Sequence, residues 1–458
     1  MKSQPSFVLP SLRQHRRVPA VILSVFMSAW QVCQPLQAAT YYWDTDGSDS
    51  GNLLDGTNLG GSGAWDTAAS NWWPVPAGAL TTWGNTSSDT AIFGGPLLSV
   101  PAAVAVSLAS GITSNQVQFQ RSGYTLSGGS LTLAGTNAGL AVTLGDSAVI
   151  NSLITGSDGL TKAGGGSVRL ANAGNTYTGT TTIANGTLII SAPGALGTDA
   201  SAISILTNNN TPLNANLLGF TGGSLVLDGT SGGFTFSRNV NFEGRGPIGD
   251  RGAAIASLGN NTLSGTLTAG VSPLAPATFR NSRINSINGM LNMSGAVVSQ
   301  GTSATTFLAL GGVNSAGVGD FNLTGTLSGT GSIEKSGAGV MHLNPTSLSG
   351  FSGTIRVAGS SAGGQQSSLR VTQTTVGGVS IFGGNTGTNA ASAIDLNGGV
   401  LEFRSESDLN YGALSTGKNV YLRGNSTVFT GPAVGGQAIN GTTTLGTLRV
   451  AANTTATF

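Results

Sequence analysis

Cysteine, histidine and charged residues are all scarce in this sequence. Its 458 residues include one cysteine, Cys33, two histidines, His15 and His342, and only 8% charged residues. One cysteine cannot form a disulfide within the chain, and so few histidines leave no ligand set for zinc. No Gly-Lys-Ser/Thr phosphate loop occurs among the many glycines either. We therefore expect no metal and no cofactor.

Residues 1–39 differ in kind from the rest of the chain. Three arginines precede the apolar run Val18–Trp30, and a polar stretch then ends in the residues LQAA. This order is typical of a secretory signal peptide, and the apolar run is shorter than the roughly 20 residues of a membrane span. We expect cleavage after Ala38 or Ala39; a buried core helix is the less favoured alternative.

Removal of this segment changes the charge balance. It takes away four of the 19 basic residues and none of the 18 acidic ones, which leaves a net charge of −3. No basic stripe remains that could follow a phosphate backbone. Nucleic acid is therefore not expected as a partner.

Glycine, in contrast, is abundant, with 72 residues that all follow the predicted signal peptide. Many of them begin a short unit in which glycine is followed by two apolar residues at spacing two. That spacing places both apolar side chains on one face of a strand, and glycine permits the tight turn before it. The clearest copies are GSLTL at 129–133, GTLII at 186–190, GSLVL at 223–227, GTIRV at 353–357, GVLEF at 399–403 and GTLRV at 446–450.

A longer internal repeat supports a stacked architecture. Residues 156–170 align without gaps on residues 329–343, and Lys162 then matches Lys335. Single strands of this kind bury too little to be stable, whereas stacked copies bury a continuous core. We predict that both lysines lie on solvent-facing turns; a functional role for them is the less favoured alternative.

The segment Asn175–Leu188, NTYTGTTTIANGTL, resembles the autotransporter-associated β-strand repeat, and a GALG follows it at Gly194–Gly197. A second, degenerate copy follows residues 329–343. The resemblance implies an exported β-helix passenger. With the repeat pattern it predicts an all-β, right-handed parallel β-helix with three parts: a signal peptide at 1–39, a tryptophan-rich cap at 40–100 and solenoid repeats at 101–458.

Many proteins of this type have a C-terminal translocator barrel. No block of long alternating strands follows Gly446, so we expect the sequence to be a fragment of a longer protein; secretion by another route is the less favoured alternative. Contact with a membrane is expected only through a translocator outside this chain.

Five of the six tryptophans lie between positions 43 and 83. We interpret them as part of an N-terminal cap, because the open end of a solenoid exposes core and strand edges. The alternative is an exposed aromatic platform that stacks against sugar rings.

The segment Asp44–Asp49, DTDGSD, is similar to a calcium-binding loop. An EF-hand loop places acids at positions 1, 3 and 5, glycine at 6 and glutamate at 12. Here Ser48 occupies position 5 and Asp55 occupies position 12. We therefore favour an ordinary surface turn over a calcium site.

Two charged clusters and one histidine are the remaining candidate residues. Paired carboxylates could serve a glycosidase. We favour an exposed ion-pair loop for the first cluster and a solvated face for the second. His342 should project opposite to Met341 on a strand, and it has no partners for a catalytic triad. The clusters are Glu243, Arg245, Asp250 and Arg251, and Glu402, Arg404, Glu406 and Asp408.

No catalytic, cofactor-binding or metal-binding residue is assigned on these grounds. The leading hypothesis is an exported, surface-displayed or secreted β-helix with a structural or adhesive role and no catalysis. Its partner would be an unknown surface ligand or cell-envelope component, for example a carbohydrate. The alternatives are a carbohydrate-active β-helix enzyme and a component of an extracellular matrix or S-layer.

Overall fold

The computed structural model covers most of the chain beyond the predicted signal peptide, which lies outside the described residues except for Ala39. Residues Ala39–Phe458 form one compact unit. The structure describes residues 39–75, 78–94, 103–206, 222–247, 252–270, 282–301, 307–311, 319–348, 350–359, 366–371, 375–376, 379–380, 394–404, 409–410, 420–431, 443–444, 448–450 and 456–457.

The glycine-led units form strands, as the sequence predicts. In the unit at 186–190, Leu188 and Ile190 are fully buried while Ile189 between them is partly exposed. The unit at 353–357 shows the same alternation, with Ile355 and Val357 buried on either side of Arg356. Each inward aliphatic side chain contributes about 1.5–3 kcal/mol by leaving water.

The largest sheet, here the first sheet, contains 15 strands among the described residues. In spatial order they are Gly63–Trp65, Val104–Leu108, Tyr124–Gly128, Ser147–Ile150, Ser167–Leu170, Gly186–Ile190, Gly223–Gly229, Ile255–Gly259, Ser282–Asn288, Phe307–Leu310, Ser332–Lys335, Ile355–Ala358, Ile394–Asn397, Val420–Gly424 and Leu448–Val450.

The second sheet has 12 strands in the described part of the chain. In spatial order they are Trp72–Pro74, Thr40–Trp43, Thr90–Phe93, Gln116–Phe119, Gly139–Val142, Leu160–Ala163, Thr181–Ile183, Ile203–Ile205, Val240–Phe242, Leu267–Ala269, Val297–Ser299 and Leu327–Ser328.

Two further sheets build the third face. The short sheet consists of Ile112–Ser114, Ser130–Leu133 and Leu153–Thr155. The third sheet consists of Thr235–Phe236, Asn261–Leu263, Met290–Met293, Asp320–Leu323, Val340–Leu343, Ser368–Val371, Val400–Arg404, Ser426–Gly431 and Ala456–Thr457. Outside these faces, the described residues also form two strand pairs and one 3-10 helix: Thr375–Val376 with Val379–Ser380, Leu409–Asn410 with Thr443–Thr444, and Pro193–Leu196.

The chain visits the faces in rotation. It runs from Gln116–Phe119 in the second sheet to Tyr124–Gly128 in the first and Ser130–Leu133 in the short sheet. It then returns as Gly139–Val142, which pairs in parallel with Gln116–Phe119. In all three faces the described pairs are parallel, except that Trp72–Pro74 runs antiparallel to Thr40–Trp43 at one edge.

Inward side chains from every face merge into one core that extends from Trp43 to Val428. The predicted all-β parallel β-helix is thereby confirmed, while its right-handedness stays a prediction. In the part of the chain that the structure describes, no helix is long and apolar enough to cross a membrane.

The third face is interrupted where the repeat NTYTG occurs. Between the short sheet and the third sheet, the chain uses loops instead of strands on this face, and Asn175 joins successive turns. Its side chain accepts a hydrogen bond from the Ile154 amide at 2.8 Å and donates one to the Ala195 carbonyl at 2.8 Å. Tyr177 is fully buried beside it, with its hydroxyl 3.0 Å from Thr181 Oγ1. The motif therefore supplies polar bonds where the sheet ladder is missing.

Candidate binding surface

All five early tryptophans are buried, four of them in the main core and Trp73 outside it. Trp43, Trp65 and Trp72 are fully buried, and their rings meet at centroid distances of 5.0 Å for the pairs that include Trp72. Trp83 is 2% exposed and donates its ring N–H to the Thr113 carbonyl at 2.9 Å. Trp73 lies in a small separate cluster and is 6% exposed. The rings thus offer no exposed face to a sugar, and the cap role of residues 40–100 stays a prediction.

The DTDGSD segment forms consecutive turns. Asp44 accepts a hydrogen bond from the Asp46 amide, Asp46 accepts one from the Ser48 amide, and the Ser48 hydroxyl accepts one from the Ser50 amide. Asp44 is itself buried, and its second oxygen accepts a hydrogen bond from the Asn52 side chain at 2.7 Å. Burial raises the pKa of Asp44. The carboxylates therefore bind the chain itself, and no metal-binding group of three or more ligands occurs among the described residues.

The prediction for the two repeat lysines is wrong. Lys162 and Lys335 are both fully buried. The Lys162 ammonium donates to the carbonyl oxygens of Ala163, Gly164 and Asn185 at 2.7–3.0 Å. An ammonium group has three donors, so these three bonds can use all of them. The glycine-rich turn bends its carbonyl groups inward, which is why a charged residue is buried here.

Lys335 repeats this arrangement at a different place in the coil. Its ammonium donates to the carbonyl oxygens of Ser336, Gly337 and Ala338 at 2.8–2.9 Å. Burial lowers the pKa of Lys335 to about 8. Lys162 belongs to the second sheet, whereas Lys335 belongs to the first. The matching sequences are therefore displaced by one face of the coil.

Glu243 is buried, which contradicts the exposed position expected for it in an ion-pair loop. Glu243 is only 6% exposed, whereas Arg245 is exposed. Asp250 and Arg251 lie outside the described residues. Glu243 directly follows the strand Val240–Phe242 of the second sheet.

Glu402 is also not part of a solvated face. It is 9% exposed and accepts hydrogen bonds from Ser368 at 2.6 Å and from Arg370 and Arg404 at 3.0 and 3.1 Å. Although burial opposes its charge, these bonds hold the pKa of Glu402 below its ordinary value. The Arg404 guanidinium also covers the exposed ring of Phe429 at 4.2 Å. Glu406 and Asp408 of this cluster lie outside the described residues.

His342 alternates with its neighbours as predicted. Met341 and Leu343 are fully buried, and His342 lies between them on the outer surface of the third sheet. It is in register with Asn322 on one side and Arg370 on the other. Burial and the positive charge of Arg370 lower the pKa of His342. It therefore has the setting of an outward, neutral residue.

A column of side chains on the outer side of the first sheet brings several charged residues together. The column is defined by residues in register on six consecutive strands, and the inward neighbours of each are buried. It consists of Arg283, Ala309, Glu334, Arg356, Asp395 and Tyr421. At about 4.8 Å per strand, these six residues span roughly 24 Å.

A depression of about 340 Å³ lies over this column. Glu334, Arg356 and Asp395 line it, with Asn397 and Arg423 from the next outward positions. Asp395 is 9% exposed and accepts a hydrogen bond from Arg423 Nε at 2.8 Å. Burial raises the pKa of Glu334, while nearby arginines oppose that change. The arrangement can present planar cations and oxygen acceptors to one ligand.

Sequence reasoning did not single out this column. Its successive charged members are 22–51 positions apart along the chain, so no local cluster marks them. A usable signal existed, because Arg356 is the outward residue between the two apolar positions of the unit GTIRV. Glu334 in SIEK and Asp395 in IDLN occupy the same kind of position. Charges at that position of the unit predict the outer surface of the coil.

The fold and the repeat place the chain in a class, parallel β-helices with passenger-type repeats. Residues 160–190 match the family model described as the passenger-associated-transport-repeat. Over 89% of its length the chain is also 30% identical to the protein named "Adhesin BmaC autotransporter" from Brucella suis biovar 1 (strain 1330). The resemblance to autotransporter passenger repeat proteins is thus confirmed.

The extent of this similarity is unequal for the two proteins. The matched region amounts to 13% of the length of the Brucella suis relative. No solved structure matches the chain.

Proposed function

We propose that the chain is a surface-displayed β-helix with a structural and adhesive role. The observation that carries this proposal is the similarity to an autotransporter adhesin along 89% of the chain. The continuous core of stacked strands supports a rigid body, and the outward columns of its three faces offer binding surface. Export through the predicted signal peptide fits this role.

Surface exposure and attachment can be tested in the producing cells. Antibodies raised against the purified chain should label intact cells, and their Fab fragments should reduce attachment to host tissue or to other surfaces. A strain without the gene provides the control for labelling and for attachment. Labelling only after the cells are permeabilised would contradict the proposal.

A carbohydrate-active enzyme is the second candidate, because Glu334 and Asp395 share one depression. Inverting glycosidases place two carboxyl groups about 6.5–9.5 Å apart. Two strand spacings separate these residues, roughly 10 Å, but Arg356 lies between them and Asp395 is bound to Arg423. Binding without catalysis is therefore better supported.

The enzyme alternative predicts new reducing ends or unsaturated sugars after prolonged incubation with polysaccharides. We expect none. Product release that disappears in a Glu334→Gln variant would favour the enzyme over the adhesive role.

A further inference from the structure

A column of short, uncharged side chains runs along the outer surface of the second sheet. In the seven strands from Leu160–Ala163 to Leu327–Ser328, one partly exposed residue directly follows a buried one. These outward residues are in register with one another and with Gly139 on the strand before them. At about 4.8 Å per strand the column is roughly 34 Å long. We call it the uncharged face, and it consists of Gly139, Thr161, Thr182, Ser204, Asn241, Thr268, Val298 and Ser328.

The chemistry of the uncharged face is complementary to itself. Hydroxyl and amide groups both donate and accept hydrogen bonds, so two identical columns of them can bond to each other. The outer columns of the first and third sheets contain arginine and carboxylate side chains, and two copies of such a column have to avoid contact between like charges. The uncharged face has no such restriction. Its short side chains also leave it flat, which favours the packing of two sheets about 10 Å apart.

Two opposite charges lie at the rim of this face, near its middle. Asp199 precedes the fourth strand of the face, Ile203–Ile205. Arg238 precedes the fifth strand, Val240–Phe242. Both residues are partly exposed, and both line one depression of about 380 Å³. Arg238 donates to two backbone carbonyl groups through three N–H groups, which leaves two of its five donors for a further partner.

We propose that the uncharged face binds a second copy of the chain, with the two coils antiparallel. A twofold axis parallel to the strands, between Ser204 and Asn241, places all eight strands of the face opposite those of the second copy. The same axis brings Asp199 of each copy towards Arg238 of the other, so opposite charges meet at two symmetric places. A closed twofold contact uses one surface twice and requires this kind of self-complementarity. The proposal goes beyond the adhesive role, because it names the chain itself as a partner.

The size of the face predicts a weak contact. With a width of five residues, about 17 Å, and a length of roughly 34 Å, it covers roughly 580 Å² on each copy. Stable complexes bury about 800 Å² per partner, whereas smaller interfaces are typical of transient encounters. We therefore expect a dissociation constant in the micromolar range or weaker. Many copies on two facing cell surfaces would strengthen such contacts through multivalency.

Other occupants fit the face less well. A charged polymer finds no opposite charge among the eight residues of the column. A membrane surface requires large apolar side chains, and Val298 is the only branched aliphatic residue of the eight. A neutral polysaccharide can bond to the hydroxyl groups, but it gains nothing from the paired charges at the rim. A second copy uses both features.

Sedimentation equilibrium of the purified chain, from micromolar to millimolar concentration, tests the proposal. We expect a reversible equilibrium between monomer and dimer. The twofold axis places Thr182 opposite Thr268 of the second copy. Thr182→Lys combined with Thr268→Lys sets lysine against lysine twice and should weaken dimerisation by at least about tenfold. Thr182→Lys combined with Thr268→Asp sets lysine against aspartate instead and should restore at least the natural affinity.

Thr125→Lys combined with Thr262→Lys is the matched control. Both threonines are partly exposed between buried residues of a strand, but Thr125 belongs to the first sheet and Thr262 to the third. This variant adds the same charge as the double-lysine variant of the uncharged face. It should change the dissociation constant by less than about twofold, because both substitutions lie away from the contact. Circular dichroism and melting curves establish that each variant folds.

Three results would overturn the proposal. They are a monomer at every concentration, an equal loss of dimer in the control variant, and a lysine–aspartate variant that associates no better than the double-lysine variant. Failure here is distinguishable from failure of the adhesive role. If the purified chain stays monomeric while antibodies still block attachment of cells, only the self-association falls. If the chain dimerises as expected while intact cells are not labelled, the contact stands and surface display is contradicted.

Discussion

The two copies of the internal repeat, residues 156–170 and 329–343, form the same local structure on different faces of the coil. In each copy a lysine closes the glycine-rich turn by donating to three carbonyl oxygens. The first copy begins in the second sheet, and the other begins in the first sheet. The repeat therefore specifies a corner between two strands, and it does not specify which two faces that corner joins.

This difference teaches that corners in the solenoid are interchangeable modules. A corner needs glycine where the backbone turns and a donor where carbonyl groups converge. Gly164 and Gly337 occupy matching positions, and both have a φ of 70°. Because those needs are met within a dozen residues, the same sequence can serve at any angular position around the core.

The largest effect should come from removal of the buried ammonium groups. Lys162→Met and Lys335→Met each remove three hydrogen bonds to backbone carbonyl oxygens, and each should lower the free energy of unfolding by about 3 kcal/mol or more. Urea denaturation measures the loss, and hydrogen exchange locates it in the affected turns. Arg169→Met is the control and should cost under about 1 kcal/mol. A large loss in one lysine variant alone would show that the two corners are not equivalent.

A somewhat smaller effect is expected at the turn glycine. A Cβ on Gly164 would lie 2.2 Å from the Val142 carbonyl oxygen, in addition to the strain of a positive φ. Gly164→Ala should therefore cost about 2–3 kcal/mol. Gly145 has a φ of 89° but nothing within 4 Å of a Cβ, so Gly145→Ala isolates the strain and should cost about 1 kcal/mol. Equal melting temperatures for the two variants would refute the steric explanation.

The pH dependence sharpens the comparison further. Lys335 has a pKa of about 8 in the folded chain, below the ordinary value of 10.5. Above pH 8 the unfolded chain therefore binds more protons at this residue, and folding stability rises with pH towards 10.5. The contribution is at most about 1.4 kcal/mol per pH unit. The difference in unfolding free energy between the natural chain and Lys335→Met should grow between pH 8 and 10. A constant difference would contradict the lowered pKa of Lys335.

The smallest effects should come from the outward positions of the repeat. Arg169 and His342 match in the two copies, but Arg169 forms an ion pair with Asp228, and the pKa of His342 is lowered by burial and Arg370. Arg169→Gln should cost about 0.2–1 kcal/mol and lose its effect in high salt. His342→Gln should cost less than about 0.5 kcal/mol at pH 7. Thermal melts at low and high salt distinguish the two variants. A salt-dependent loss of stability for His342→Gln would contradict the expectation that only Arg169 acts through an ion pair.

Local pattern predicted much of the architecture but misjudged the charged residues. The strand at 186–190 was predictable, because its period of two follows from the geometry of a single strand. The burial of Lys162, Lys335 and Glu402 was not predictable in this way. Lys162 and Glu402 depend on partners from other turns of the coil, and Lys335 depends on the direction of the next three carbonyl groups, which residue types alone do not reveal. A charged side chain reads as exposed unless the sequence also reveals what accepts or donates its hydrogen bonds.

The sequence by itself determined the all-β character, the glycine turns, the inward and outward alternation and the likeness to passenger repeats. All of these are patterns within stretches of about 15 residues. Only the tertiary structure decided the face on which each repeat begins, and only it brought Arg283, Glu334, Arg356 and Asp395 into one column. Their registration depends on how many residues each corner and loop inserts between strands. Backbone hydrogen bonds between successive turns then fix the stacking.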